Sequence, residues 1–304
     1  MRAVTTGKDH LLLSIAFSHY NEKARWAFAY YGVPYTHHLL LPALHIFSIR
    51  TFASNSDLEF DQKDSDSSPY STPCLVVSDP SRANAQLIFR DSHDILVYLS
   101  EAFPSSERPD LYTSCGVDQT EQIKALEKRY DDVLGVATRC IAYYDMLVLN
   151  RWRSLLSFAL LGFRNRVGLL QSILWFLLSP LIGRLLIWRM ECTTSRHRES
   201  MVLCREEFER ASKLLEDSEY LAGKRLSAAD ITFAALAYPV LHISHEEGYQ
   251  QYPPGSKTIS SEGRAFMTEL RATRAGQHVL RLFKEERDCG SLLPRQRKTV
   301  LRLW

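Results

Sequence analysis

Cysteine pairs are missing from this chain of 304 residues: its six cysteines lie at 74, 115, 140, 192, 204 and 289, and no two form a C-x-x-C. The spacing offers no metal site and points to a reduced, cytoplasmic setting. A phosphate loop, a dinucleotide fingerprint and a Ser-His-Asp arrangement are also absent, so the usual marks of an NTPase, a nicotinamide enzyme or a serine hydrolase are not there. An excess of one charge is lacking too. Lys+Arg number 37 against 35 Asp+Glu, and the net +2 gives no argument for nucleic acid as a partner. The histidines at 37, 38, 45, 242 and 245 have no supporting ligands at metal-binding spacing, so no metal is expected. The opening MRAVTTGKDH is too short and polar for a secretory signal, and short for a transit peptide.

What is present is ample apolar residue for real cores, 45% of the chain, and a change of pattern part-way along. Residues 8–104 alternate short apolar runs with helical periodicity. Strands are expected over His10–Ala16, Tyr35–Leu41, Cys74–Val77 and Ala85–Phe89. Helices are expected over Ser18–Tyr31, irregularly over Pro42–Phe52, and over Asp91–Phe103, with a polar acidic loop at 54–70. Residues 105–118 read as a linker. From 119 onward no convincing strand appears; the pattern over 119–290 is all-α, followed by a basic tail at 291–304. Two domains fit this length and this switch of period.

The most informative stretch is Ser18-His19-Tyr20-Asn21-Glu22-Lys23-Ala24-Arg25-Trp26. It joins a buried-strand run to an amphipathic segment closed by Gly32 and Pro34. Ser18 therefore stands at a helix N-terminus, where unpaired N–H groups and the helix dipole favour an anion such as a thiolate. The plain alternative is that Ser18 is a helix cap and nothing more. Further on, Ser71-Thr72-Pro73-Cys74-Leu75-Val76 sets a proline before the third strand, and Arg90-Asp91-Ser92-His93-Asp94-Ile95 opens a helix with a free end suited to a carboxylate. In Leu226-Ser227-Ala228-Ala229-Asp230-Ile231, Ser227 and Asp230 form a capping box, with Leu226 and Ile231 as its staple.

Taken together, in order and spacing, these four motifs resemble the glutathione transferases, and the turn at Ser18 resembles their serine- and cysteine-type members (tau-like, omega-like, bacterial and algal). The resemblance implies a thioredoxin-like α/β domain followed by an all-α domain. It implies that glutathione is the co-substrate and that Ser18 holds its thiolate. Thr72, before a cis Pro73, meets its cysteinyl backbone. Asp91 and Ser92 hold its γ-glutamyl end. Tyr20 is a fallback hydroxyl donor, and His45, with Arg50, is placed to meet the glycyl carboxylate. Arg25 is structural. The partners implied are glutathione and an apolar electrophile, with a homodimer left open. Two other readings remain: a catalytically silent binding or membrane-associated module of the same fold, and a glutathione-dependent isomerase or dehalogenase. Departures from the family pattern are His19 where a Pro is frequent, Asn21 where many have Cys, the acidic loop at 54–70, and the extra length concentrated in 151–198.

That extra segment carries eight Arg, no Lys and one Glu. Within it, Val167 to Gly183 has no charge at all. Seventeen residues are at the lower limit of a membrane span. A core or hairpin helix broken at Pro180 and Gly183 is the first expectation, a weak membrane-surface contact through 151–190 the second, and a true span the last.

Overall fold

The structure is a computed structural model that describes residues 7–54, 70–79, 86–150, 169–249, 259–287 and 295–296. Most of the acidic loop, the segment 151–168, residues 250–258 and most of the basic tail lie outside the described residues.

The strand–helix order of the first half is the expected one: β1 Asp9–Ser14, α1 His19–Tyr31, β2 Thr36–Leu39, α2 His45–Ser54, β3 Cys74–Ser78, β4 Gln86–Phe89 and α3 Ser92–Ala102. In the sheet, order β4-β3-β1-β2-β5, β1 runs parallel to β2 and antiparallel to β3. Leu12, Leu13, Leu75 and Val77 are buried, so the central strands read as apolar runs without alternation. The fifth strand, β5 Arg295–Gln296, pairs parallel with β2. It corrects the expectation that no strand follows residue 119. Two residues in a basic tail carry no periodicity to read.

The second half is helical. A long helical rod runs from α4 Thr120–Arg129 through a π turn at Tyr130–Leu134 to α5 Gly135–Tyr143 and a second π turn at Tyr144–Leu149. After it come α6 Leu169–Arg189, α7 Thr194–Leu214, α8 Ala228–Leu241, α9 Ser261–Ala272 and α10 Arg274–Glu285. Every residue of α8 is buried. It starts at the expected box: Asp230 Oδ2 accepts the Ser227 backbone N–H at 3.0 Å, and Leu226 and Ile231 are both buried beside it.

One hydrophobic core joins the two halves, running from Trp26, Ile95 and Leu96 to Phe233, Leu236 and Phe283. Leu111 and Tyr112 of the connecting stretch are buried in it, so that stretch is docked rather than loose.

Two elements differ from expectation. Helix α1 is not amphipathic in use, because eleven of its thirteen residues are buried, Glu22, Lys23 and Arg25 among them. Helix α6 is one continuous helix through Pro180, and most of its large apolar side chains are exposed rather than in a core.

Candidate active site

The sheet brings the motifs to one end. Leu13 faces Cys74 across β1 and β3, and Leu75 faces Phe89 across β3 and β4. The turn after β1, the residues before β3 and the residues after β4 must therefore emerge side by side. Ser18 takes the N-cap position of α1 in extended conformation, but its hydroxyl makes no capping bond. It is half-buried, and among the described residues no capping side chain satisfies the N–H groups of the first turn of α1. The one acid in that turn, Glu22, is committed inward. Its two carboxylate oxygens accept from Arg25 Nε at 2.9 Å and Arg287 Nε at 2.7 Å. Burial pushes the Glu22 carboxyl up, but the two guanidinium groups outweigh it and hold it below the usual range. The positive end of α1 is thus uncompensated beside Ser18.

The Thr72–Pro73 bond is cis. Asn21, buried in α1, donates from Nδ2 to Thr72 Oγ1 at 3.3 Å, and its Oδ1 is buried without a partner. The Ser71 hydroxyl donates to the Arg90 carbonyl at 3.0 Å. These two bonds chain the Ser18 turn to Thr72-Pro73 and then to the start of α3. There Asp91 is the N-cap and accepts the His93 N–H at 2.7 Å. Ser92 is 1% exposed and its Oγ is buried with no partner.

Tyr20 is turned away from this end. Its hydroxyl donates to the Asp131 carbonyl at 2.9 Å, and burial raises its pKa. It serves the contact between the halves. A Cβ on Gly135 would lie 2.5 Å from the Tyr20 hydroxyl, so any larger residue there must displace the tyrosine. His19 has the same use: its Nε2 donates to the Gly135 carbonyl at 2.9 Å, and burial lowers its pKa to about 3, so the ring is neutral.

Neither a family model nor a curated protein matches the sequence. Solved structures do match the fold. One is a glutathione S-transferase of Ceriporiopsis subvermispora in complex with glutathione, 16% identical, with a TM-score of 0.56 over 94% of this chain and 99% of that one. Another is a beta-etherase from Sphingobium sp. strain SYK-6, 14% identical, with a TM-score of 0.50 over 89% of this chain and 98% of that one. This chain has the glutathione-transferase fold.

Within that fold, the sequence reading missed a charged cluster where α1 meets the helical half. Lys23 Nζ lies 2.8 Å from Glu127 Oε1 and 2.6 Å from Asp131 Oδ2, with no exposure of its own. His93 Nδ1 is 3.0 Å from Glu127 Oε1, and the Tyr112 hydroxyl donates to Glu127 Oε2 at 2.8 Å. Two carboxylates share one lysine, and the surplus falls on Asp131. Burial raises its pKa to about 6 against the pull of Lys23, and its Oδ1 has no partner. Glu127 is pushed up by burial too, but Lys23 and His93 hold it at about 2. The charge of Asp91 disfavours ionisation of both Asp131 and Tyr20, so this cluster borders the start of α3. The spacing of Glu127 and Asp131, four apart in a polar helix, was the available signal. It reads equally as a solvated face.

His45 opens α2. Its backbone N–H donates to the Leu41 carbonyl at 3.0 Å, and its Nδ1 is buried without a partner. Burial lowers its pKa, so it offers a neutral ring rather than a cation. Arg25 is structural, donating to Glu22 and, from Nη2, to the Ala16 carbonyl at 3.0 Å.

Proposed function

We propose that this protein is a glutathione transferase acting in the cytoplasm on an apolar electrophile. The observation that carries this reading is the half-buried Ser18 hydroxyl, unused as a cap, at a helix N-terminus whose only first-turn acid is neutralised by two arginines. A thiol placed there loses its proton more readily than free Cys, whose pKa is about 8.5. Ser18 donates a hydrogen bond to the thiolate. The sulfur lone pair attacks the electrophilic carbon, the new C–S bond forms, and the leaving group departs or the π electrons shift. Thr72 offers backbone N–H and C=O to the cysteinyl unit. Ser92 and the N-terminus of α3 receive the γ-glutamyl carboxylate, and Asp91 with Asp131 receives its ammonium. His45 faces the glycyl end.

The neighbour whose structure contains glutathione supports the choice of co-substrate. Ser18→Ala should cut turnover on the order of a hundredfold, with a much smaller change in glutathione affinity. Unchanged turnover would sink the assignment. Glutathione affinity measured by calorimetry should fall as pH drops through about 6, because Asp131 must give up its proton to meet an ammonium. A flat profile, together with wild-type affinity in Asp91→Ala and Ser92→Ala, would remove the γ-glutamyl site from α3. Binding of glutathione without turnover on a broad electrophile panel would favour the silent module instead.

A further inference from the structure

We propose that the outer face of α6 docks on the surface of an anionic lipid bilayer. The two faces of this helix have opposite fates. Trp175, Ser179, Ile182 and Gly183 point inward and are buried. Trp175 and Ile182 pack on Ala16, Leu39, Leu41 and Leu147, and the indole Nε1 donates to the Pro42 carbonyl at 3.0 Å. On the other side Leu174 is 44% exposed, Leu177 68%, Leu181 65%, Leu185 51% and Trp188 74%. Their spacing of three and four residues makes a single stripe, about 20 Å long at about 1.5 Å per residue. Ile173, 42% exposed, and Leu178, 37% exposed, widen it on either side. A continuous apolar strip of this kind is not the scattered exposure of an ordinary surface.

Charge selects the occupant. At about 100° per residue, Arg184 and Arg189 fall one on each side of the stripe. Both are exposed. Helix α6 itself carries these two arginines and neither aspartate nor glutamate. An apolar stripe with cationic flanks and a terminal Trp is the arrangement of a helix lying in the headgroup zone, its guanidinium groups reaching phosphates. A second copy of the same face would bring arginines against arginines with no acid from α6 to meet them. Among the described residues no single helix is long and apolar enough to cross a membrane. The inner face is already committed to protein, so α6 lies on the surface rather than spanning. The proposal rests on α6 alone and holds whatever the active site does.

The test uses the full chain and co-sedimentation with vesicles of phosphatidylcholine, with and without phosphatidylserine. The protein should sediment with the mixed vesicles and only weakly with neutral ones. High salt should reduce binding without abolishing it, because the apolar contact is unscreened. Arg184→Ala and Arg189→Ala should each lower affinity about fivefold, the equivalent of about 1 kcal/mol per arginine at an anionic surface. Leu177→Asp with Leu181→Asp should leave the protein in the supernatant with unchanged circular dichroism. In the unaltered chain, brominated lipid should quench tryptophan emission, and Trp188→Phe should remove most of that quenching. Failure to sediment with anionic vesicles, complete release by salt, or equal binding to neutral vesicles would overturn the proposal. So would a double aspartate variant that turns a dimer into a monomer while vesicle binding persists, which would assign the face to a second copy.

Discussion

Helices α1 and α6 invert what their compositions suggest. Helix α1 holds Glu22, Lys23 and Arg25, and all three are buried. Helix α6 has no charge between Leu169 and Gly183, yet Leu177 and Leu181 are about two-thirds exposed. The difference lies in partners. Each buried charge of α1 meets an opposite charge within 3 Å: Glu22 from Arg25 and Arg287, and Lys23 from Glu127 and Asp131. Three of those partners come from the helical half or the chain that follows it, so α1 becomes the hinge-pin of the two halves. Among the described residues, helix α6 has protein on one side only. Hydropathy ranks residues by their preference for water, but burial is decided by what the rest of the chain supplies.

The sharpest way to break the comparison is to remove the partners of α1. Lys23→Met leaves Glu127 and Asp131 without their cation and should cost about 3–5 kcal/mol, read from urea unfolding. Adding Glu127→Gln and Asp131→Asn should recover most of that loss, since a matched apolar or neutral set is tolerated where a lone buried charge is not. A loss under about 1 kcal/mol for Lys23→Met would mean that α1 is not held by these pairs. Of similar size or somewhat smaller, Trp175→Ala should cost about 3–5 kcal/mol as a large-to-small core change. It also orphans the Pro42 carbonyl and frees the inner face of α6.

Why one helix was read better than the other follows from this. The strand order, the closure of α1 at Gly32 and the capping box at Ser227 are local or carry strong turn chemistry, and the sequence shows them; the cis bond before Pro73 was legible only through the family resemblance. The convergence of Ser18, Thr72 and Asp91 was legible only through a fold resemblance; the register of β1, β3 and β4 now supplies the physical reason for it. The use of His19 and Tyr20 was not legible. Both act on Asp131 and Gly135 more than a hundred residues away, and no local pattern encodes that distance. The exposure of α6 was hidden for the same reason. Its charge-free run fits a core and a membrane surface equally, and only the position of the sheet end beneath it decides.

A smaller effect separates the two carboxylates beside Lys23. Burial raises Asp131 from 3.8 to about 6, so between those values the folded state holds a proton that the unfolded chain has released. Its contribution to stability is present at low pH and lost as pH rises through that window. Glu127 is held at about 2 against an ordinary 4.5, so its contribution is present above 4.5 and lost as pH falls toward 2. Urea midpoints of the wild type and Asp131→Asn should therefore differ in pH dependence between about pH 4 and about pH 6, with the wild type losing ground as pH rises. Parallel curves would show that Asp131 titrates normally.

The smallest effect belongs to the outer face of α6, and it tests the comparison from the other side. Leu177 is 68% exposed and Leu181 65%, so neither contributes much burial to the fold. Leu177→Ser and Leu181→Ser should each change stability by no more than about 0.5 kcal/mol, seen as nearly superimposable thermal melts. The same substitution at Ile182, 6% exposed on the inner face, should lower the melting temperature clearly, since it empties a packed site and buries a hydroxyl. A leucine side chain is worth about 1.5–3 kcal/mol only when water is removed from it. If Leu177→Ser destabilises the protein as much as Ile182→Ser, the outer face is covered within the fold and the contrast with α1 fails. If it does not, the apolar character of that face is left without a role in stability, and its conspicuous leucines answer to something outside the chain.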